Sequence, residues 1–382
     1  MPVESGRCNS CDESRWAIGG DRIDLVAVRR ELPVLDRSAY LNTGTFGPLP
    51  RTTAEAMQTV ERRELEEGRS SRTYFQRVLH EREALRAELA GLLGTQPERV
   101  ALTSSTTEGC NIVLRGLGIG PDDEVVTTDS EHPGLFGGLV ASGAALRIAA
   151  IRERPSGEIL PAIQAQITPR TRLIAISHVS WLDGSVLPVR ELAGHGIPVL
   201  VDGAQSAGAI PVTVEELGAD YYTVSGQKWL LGPAATGALY VAAERLDDCR
   251  VTFPSYFSWK LPAYEFRDGA VRFEGSWTPA ASIAGLLASL SFAAKAGKER
   301  FMRARQAAER CRTLLLEHGA DVITEPDQAT LISWRAKDPE ALVDRLGQQR
   351  VVVRDIPGTG LVRVSCGYWT SEDDLERLIR GL

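Results

Sequence analysis

A chain of 382 residues is longer than one hydrophobic core usually fills, about 250–300 residues, so two lobes are expected. Its composition, 43% hydrophobic, 24% charged and 6% aromatic, is that of a folded globular protein and excludes a mainly disordered chain. A formal net charge of -7 argues against nucleic acid or an anionic membrane as the main partner, because both need a basic face that displaces counterions.

In chain order, residues 1–35 read as a tail, partly disordered, with no basic stretch followed by an apolar one. No apolar run in the chain reaches the ~18 residues of a spanning helix, and a cytoplasmic protein is expected. Cys8 and Cys11 form a C-x-x-C without a second pair at zinc spacing, so no metal site is expected there. The other cysteines (Cys110, Cys249, Cys311, Cys366) are scattered, unlike a secreted disulfide framework.

Residues 36–280 carry β-branched apolar runs at 100–102, 124–128, 147–151, 172–177, 198–202, 220–224 and 237–241. Helix-period segments such as 108–117 and 161–167 lie between several of them. That alternation predicts an α/β lobe, a doubly wound and largely parallel sheet. "GLGIG" at 116–120 opens no helix and is read as a helix stop, not as a dinucleotide fingerprint. Residues 281–382 begin with a long helix pair over 280–319 and continue as strand, helix, strand, strand, helix, a smaller C-terminal α+β lobe. Its last helix is expected to be capped by Thr370 or Ser371.

Ligands of open α/β sheets bind beyond the carboxyl ends of the strands, so the polar residues that follow each run are the candidates. Thr106, Thr107 and Glu108 open a helix, whose free N–H groups can hold an anion. Asp202 ends an apolar strand and needs a cationic or hydrogen-bonding partner, for which the N–H of a heteroaromatic ring is one answer and a turn cap is another. Lys228 follows "SGQ" at the end of the next strand. An anion site, a ring N–H acceptor and a desolvated lysine together point to pyridoxal phosphate held by a lysine.

The segment "VDGAQSAGAIPVTVEELGADYYTVSGQKWLLGP" resembles the cofactor-lysine signature of the class V aminotransferase family, fold type I pyridoxal phosphate enzymes. The resemblance runs from "YLNTGTFGP" at Tyr40 to the C-terminus. It implies a large, mostly parallel seven-stranded sheet with a smaller C-terminal domain, and pyridoxal 5′-phosphate as cofactor. By the same resemblance Lys228 is the Schiff-base lysine, Asp202 the partner of the pyridine nitrogen and Gln205 a contact of the ring oxygen. It makes Thr106, Thr107, Glu108, Ser225 and Gln227 the phosphate cup, and His132 of "EHPG" the residue stacked on the ring. Many relatives have histidine where this chain has Gln227. The family implies a homodimer whose partner completes the phosphate site, and Thr278 or Ser276 in "VRFEGSWTP" is the candidate.

The reaction is read from the second lobe. Arg354 and Arg363 are candidates for a substrate carboxylate, with an ion pair to Asp355 as the other reading of Arg354. The connection between them, "DIPGTG", has no cysteine, which disfavours the persulfide mechanism of cysteine desulfurases; Cys366 reads as a buried structural thiol. With Trp181 in "SHVSW", at the cofactor edge or substrate pocket, these features resemble the cysteine/cystine C-S lyases of the family. They imply β-elimination on cysteine, cystine or a cysteine S-conjugate, giving pyruvate, ammonia and a thiol or persulfide. In that reaction Lys228 would remove the Cα proton, and Lys228 or His132 would protonate the leaving sulfur. An aminotransferase, an epimerase of the isopenicillin N type and a noncatalytic binding protein on this fold are the rival readings. The aromatic run Tyr256, Phe257, Trp259 and Tyr264 is a candidate entrance or dimer contact.

Overall fold

The computed structural model describes residues 23–275 and 277–382, so Cys8, Cys11 and Ser276 lie outside the described residues. The larger of its two main sheets has seven strands: β1 (Val100–Thr103), β2 (Glu124–Thr128), β3 (Ala145–Ala149), β4 (Thr171–Ser177), β5 (Val199–Asp202), β6 (Tyr221–Ser225) and β7 (Gly237–Val241). Their order is β1-β7-β6-β5-β4-β2-β3, with β7 antiparallel to both neighbours and all other pairs parallel. Alternation along the central strands divides two cores. Ile174 and Ile176 of β4, with Val199 and Val201 of β5, enter one core, while Leu173, Ala175 and Leu200 enter the other. Both faces are therefore covered, which is why these strands read as continuous apolar runs.

Five helices matter for the site: α1 (Arg51–Glu67), α2 (Arg72–Leu93), α3 (Thr106–Gly116), α4 (Pro133–Ser142) and α5 (Ala280–Lys295). The expected long helix pair is α5 followed by α6 (Glu299–Glu317), bent by 82°. No single helix among the described residues is long and apolar enough to cross a membrane. The strand expected at 147–151 is β3, two residues earlier, because pairing Glu124 with Ala145 sets its register. The helix expected at 161–167 starts at Ser156 and contains Pro161 in its interior.

The smaller sheet is antiparallel, with β8 (Asp321–Val322), β9 (Leu331–Arg335), β10 (Arg354–Ile356) and β11 (Leu361–Ser365) in the order β8-β9-β11-β10. The run expected as one strand, "VVVRDI", breaks at Val353. Val351–Val352 pairs in parallel with Ala39–Tyr40, and only Arg354–Ile356 joins the sheet. Ala39 and Leu41 thus share a core with Cys311, Trp334 and Val362, on the side of the C-terminal sheet. Within the segment expected as tail, Leu25–Arg30 is helical, and Leu32 and Leu35 pack against Phe292 and Trp369. Ser371 caps the last helix, Glu372–Gly381, in a capping box with Asp374.

Candidate active site

The carboxyl ends of β4, β5 and β6 open onto a narrow cavity lined by His132, Ser177, Val179, Trp181, Asp202, Ala204, Gln205 and Lys228. Four of the residues singled out from sequence (His132, Asp202, Gln205, Lys228) and Trp181 therefore share one wall-to-wall space. The chain reaches Lys228 through a tight turn after β6, in which Gly226 and Gly232 are joined by a 2.8 Å hydrogen bond. The loop 42–47 closes on this turn: the Gly47 amide donates to the Gln227 carbonyl at 2.8 Å. A side chain at position 47 would lie 2.2 Å from the Lys228 carbonyl oxygen, so glycine is required there.

Removal from water pushes the Lys228 ammonium down to about 8, against the attraction of Asp202 and with the repulsion of Arg363 and Arg354. It makes no ion pair within 4.0 Å among the described residues. Asp202 is buried, and one of its oxygens accepts the Ala204 amide at 2.8 Å. Burial raises its carboxyl, and the fields of Lys228 and of the Ala204 amide only partly offset this. The two opposite charges of this wall feel each other only as fields, without an ion pair within 4.0 Å among the described residues.

Gln205 is fixed by two distant contacts. Trp229 Nε1 donates to its Oε1 at 2.9 Å, which orients the amide, and its Nε2 donates to the Gly44 carbonyl at 2.8 Å. The second Nε2 hydrogen remains for the cavity that Gln205 lines. His132 caps α4, its Nδ1 accepting the Gly134 amide at 3.0 Å, and its ring meets Trp181 edge-on at 5.0 Å. Burial, then Lys228, Arg354 and Arg363, hold its imidazole down at about 4. The ring is therefore neutral near pH 7, and because Nδ1 is the acceptor its proton sits on Nε2.

The helix expected to hold an anion begins at Thr106, with Ser105 as cap. Glu108 takes part in closing this turn. Its amide is taken by Ser105 Oγ at 3.1 Å, and its carboxylate accepts the Ser104 amide at 2.6 Å, so it closes the turn and would repel an anion. The donors that remain at this helix start are the Thr106 and Thr107 amides and hydroxyls. Thr107 Oγ1 would lie 2.5 Å from a side chain at Gly134, which brings the starts of α3 and α4 together. Ser225 is buried, Gln227 Oε1 is buried without a partner, and Thr278 is buried at the end of the segment that passes Glu108.

Arg354 and Arg363 stand directly opposite in the β10–β11 register, on one face. Arg354 donates to Thr45 Oγ1 at 2.9 Å and makes no ion pair with Asp355, which excludes the surface-pair reading. Arg363 is buried. Its Nη1 donates to the Trp181 carbonyl at 2.6 Å, while Nε and Nη2 have no partner. Burial, then Arg354, push this guanidinium down to about 9. Thr45 and Gly44 lie in "YLNTGTFGP" and Trp229 follows Lys228, but nothing local in the sequence gives them these partners. The aromatic run divides: Phe257 is buried under Arg82, its ring 3.8 Å from the guanidinium, so it lines no entrance. Tyr256 and Tyr264 are exposed, and Trp259 stacks on Phe266 at 4.4 Å.

The Aminotransferase class-V family model matches residues 39–378. The chain belongs to the class V aminotransferase family. It is 30% identical to isopenicillin N epimerase of Streptomyces clavuligerus over 90% of this chain and 93% of the epimerase. It is 28% identical to a probable cysteine desulfurase of Methanothermobacter thermautotrophicus, over 72% of each chain. The cystine C-S lyase C-DES, in complex with its reaction product cysteine persulfide, superposes with a TM-score of 0.86 at 30% identity, covering 91% of this chain and 98% of that one. A lysine-to-alanine mutant of C-DES with glycine covalently linked to its PLP cofactor superposes at 0.88.

Proposed function

We propose that the protein is a pyridoxal phosphate-dependent carbon–sulfur lyase acting on cysteine, cystine or a cysteine S-conjugate. The observation that carries this reading is the pairing of a lysine-and-aspartate wall with a substrate end that has two guanidiniums and no reactive thiol. Cys110, Cys249, Cys311 and Cys366 are all buried, and none lines the cavity. The β10–β11 turn that would carry a sulfur nucleophile is the short "DIPGTG".

The wall fits pyridoxal 5′-phosphate on its own chemistry. Asp202, raised by burial and without an ion-pair partner, suits a ring N–H, and the Ser225 hydroxyl, the Gln227 Nε2 and the start of α3 are the donors that suit the phosphate. Lys228 would hold the aldehyde, Gln205 Nε2 would meet the ring oxygen, and His132 would lie against the ring. When bound, the cofactor supplies an electron sink for negative charge at the substrate Cα.

Arg363, with two free donor positions, takes the α-carboxylate, and Arg354 on Thr45 stands beside it. Lys228, lowered to about 8, has an appreciable amine fraction near neutral pH and removes the Cα proton. The Cβ–S bond then breaks with its electron pair leaving on sulfur, so sulfurs of low pKa depart most readily. The remaining three-carbon fragment takes up water and gives pyruvate and ammonia. His132, neutral with its proton on Nε2, can donate a hydrogen bond to the sulfur but cannot accept a proton there.

An epimerase is the second reading, favoured by the 30% identity to isopenicillin N epimerase. Epimerisation needs a base on each face of Cα, and a His132 that presents an N–H does not supply the second. Incubating holoenzyme with L-cystine separates the readings. The lyase releases pyruvate and a persulfide, whereas racemised cystine without pyruvate would overturn the proposal. The same reading includes a homodimer. It is supported by an exposed aromatic surface in which Phe75 and Trp277 meet edge-on at 5.9 Å, next to Thr278. Sedimentation at micromolar concentration is expected to give twice the 41.5 kDa chain mass.

A further inference from the structure

Immediately before His132 stands a carboxylate that the proposed reaction does not use. Glu131 is buried, with 7% of its surface exposed, and both its oxygens are engaged. Thr128 Oγ1, at the end of β2, donates to Oε1 at 2.6 Å. Ser177, the last residue of β4, donates to Oε2 twice, from its hydroxyl at 2.6 Å and from its amide at 2.9 Å. One side chain thus ties the ends of two neighbouring strands to the turn that carries His132 into the cavity.

Ser177 also pairs in register with Asp202 on the adjacent parallel strand, so the two side chains stand next to each other on one face, and both line the cavity. A serine hydroxyl has one proton to donate. Here that proton points to Glu131 and away from Asp202. Burial pushes Glu131 up to about 7, against the Ser177 and Thr128 hydrogen bonds and with the nearby Asp202 charge adding to the rise.

We infer that Glu131 is a positioning residue for the cofactor wall. By taking the Ser177 and Thr128 donors it fixes the approach of His132, and it keeps the Ser177 hydroxyl from donating to Asp202. Asp202 is thereby left the stronger acceptor for a ring N–H. The inference rests on the proposed cofactor role of Asp202 but not on the lyase reaction.

The test uses holoenzyme and reads the pH midpoint of the bound cofactor's absorbance together with the dissociation constant for pyridoxal phosphate. In Glu131→Leu the Ser177 hydroxyl is released toward Asp202, and the ring nitrogen is held in its protonated form less firmly. The absorbance reports the lysine-linked nitrogen, whose protonation the ring's positive charge opposes, so with that charge weakened the midpoint is expected to rise by about half a unit or more and cofactor binding to weaken several-fold. Glu131→Gln, which still offers an acceptor to Ser177, is expected to stay near wild type. Adding Ser177→Ala to Glu131→Leu removes the misdirected donor and is expected to bring the midpoint back. An unchanged midpoint in Glu131→Leu, or a shift that Ser177→Ala does not reverse, overturns the inference. If Glu131→Leu does not fold, Ser177→Ala alone decides: its hydroxyl is already committed elsewhere, so the midpoint is expected to hold, and a shift contradicts the inference. A wild-type protein that binds no cofactor refutes the cofactor role of the wall, and one that binds cofactor but releases no pyruvate refutes only the lyase reading.

Discussion

Two buried carboxylates of this chain, Glu274 and Asp202, differ in what their surroundings provide. Glu274 is fully enclosed. One oxygen accepts Arg86 at 2.6 Å and the Leu102 amide at 3.0 Å, and the other accepts Arg82. Asp202 accepts one amide at 2.8 Å and feels Lys228 only as a field. The first cluster joins α2, β1 and the segment leading to Thr278, and within the fold both oxygens of its acid have partners. The second is complete only when something else enters. A similar contrast separates Arg82, which is paired to an acid and set against Phe257 with Nη1 alone unpartnered, from Arg363, which has no acid beside it and keeps two nitrogens without partners. Buried charge that is satisfied holds the fold together, and buried charge left short of partners marks where a ligand goes.

Substitutions on the two sides of this contrast should therefore be read by different assays. Lys228→Ala is expected to lower the rate of elimination by roughly 10⁴-fold, the upper range for loss of a positioned base, with thermal stability kept. Glu274→Ala strands two buried guanidiniums and is expected to cost about 3–5 kcal/mol in denaturant unfolding. Its residual folded fraction should retain the cofactor's absorbance. If Glu274→Ala abolished activity at full stability, the contrast would collapse. Arg363→Lys keeps the charge but not the fork, and a loss of about 2–3 kcal/mol, some 30- to 150-fold in kcat/KM, is expected to fall mainly on KM.

The smallest effect is a linkage between pH and the stability of the cofactor-free protein. Lys228 titrates near 8 in the folded chain and near 10.5 unfolded, so between these values the unfolded state binds more protons. Stability contributed at this site therefore rises with pH from about 8 to about 10, by an amount of order 1–3 kcal/mol. Subtracting the Lys228→Ala profile isolates it, and a difference curve that is flat or falls over this window would count against a desolvated lysine.

Much of this contrast can be read without coordinates on one side and little on the other. Asp202, Lys228, Gln205 and His132 follow apolar strands and stand among glycines and small residues, so their place at the sheet rim is local information. The parallel pairing of Ala39–Tyr40 with Val351–Val352 has no local signal, because its partners are some three hundred residues apart. The same holds for Thr45 beneath Arg354, Trp229 behind Gln205, and the Arg82–Glu274–Arg86 cluster, where charged residues on an amphipathic helix read as solvent-facing. At Glu108 an acid three residues after a serine cap binds that turn, and motif position alone does not distinguish this from a ligand contact.

The central claim, that the wall around Lys228 holds pyridoxal phosphate through that lysine, is tested most directly by reducing the holoenzyme with borohydride and mapping the modified peptide. The account predicts one stoichiometric pyridoxyl adduct, on the peptide containing Lys228, and none in Lys228→Ala. An adduct on Lys260, Lys295, Lys298 or Lys337 in its place, or equal labelling of the Lys228→Ala protein, would contradict it.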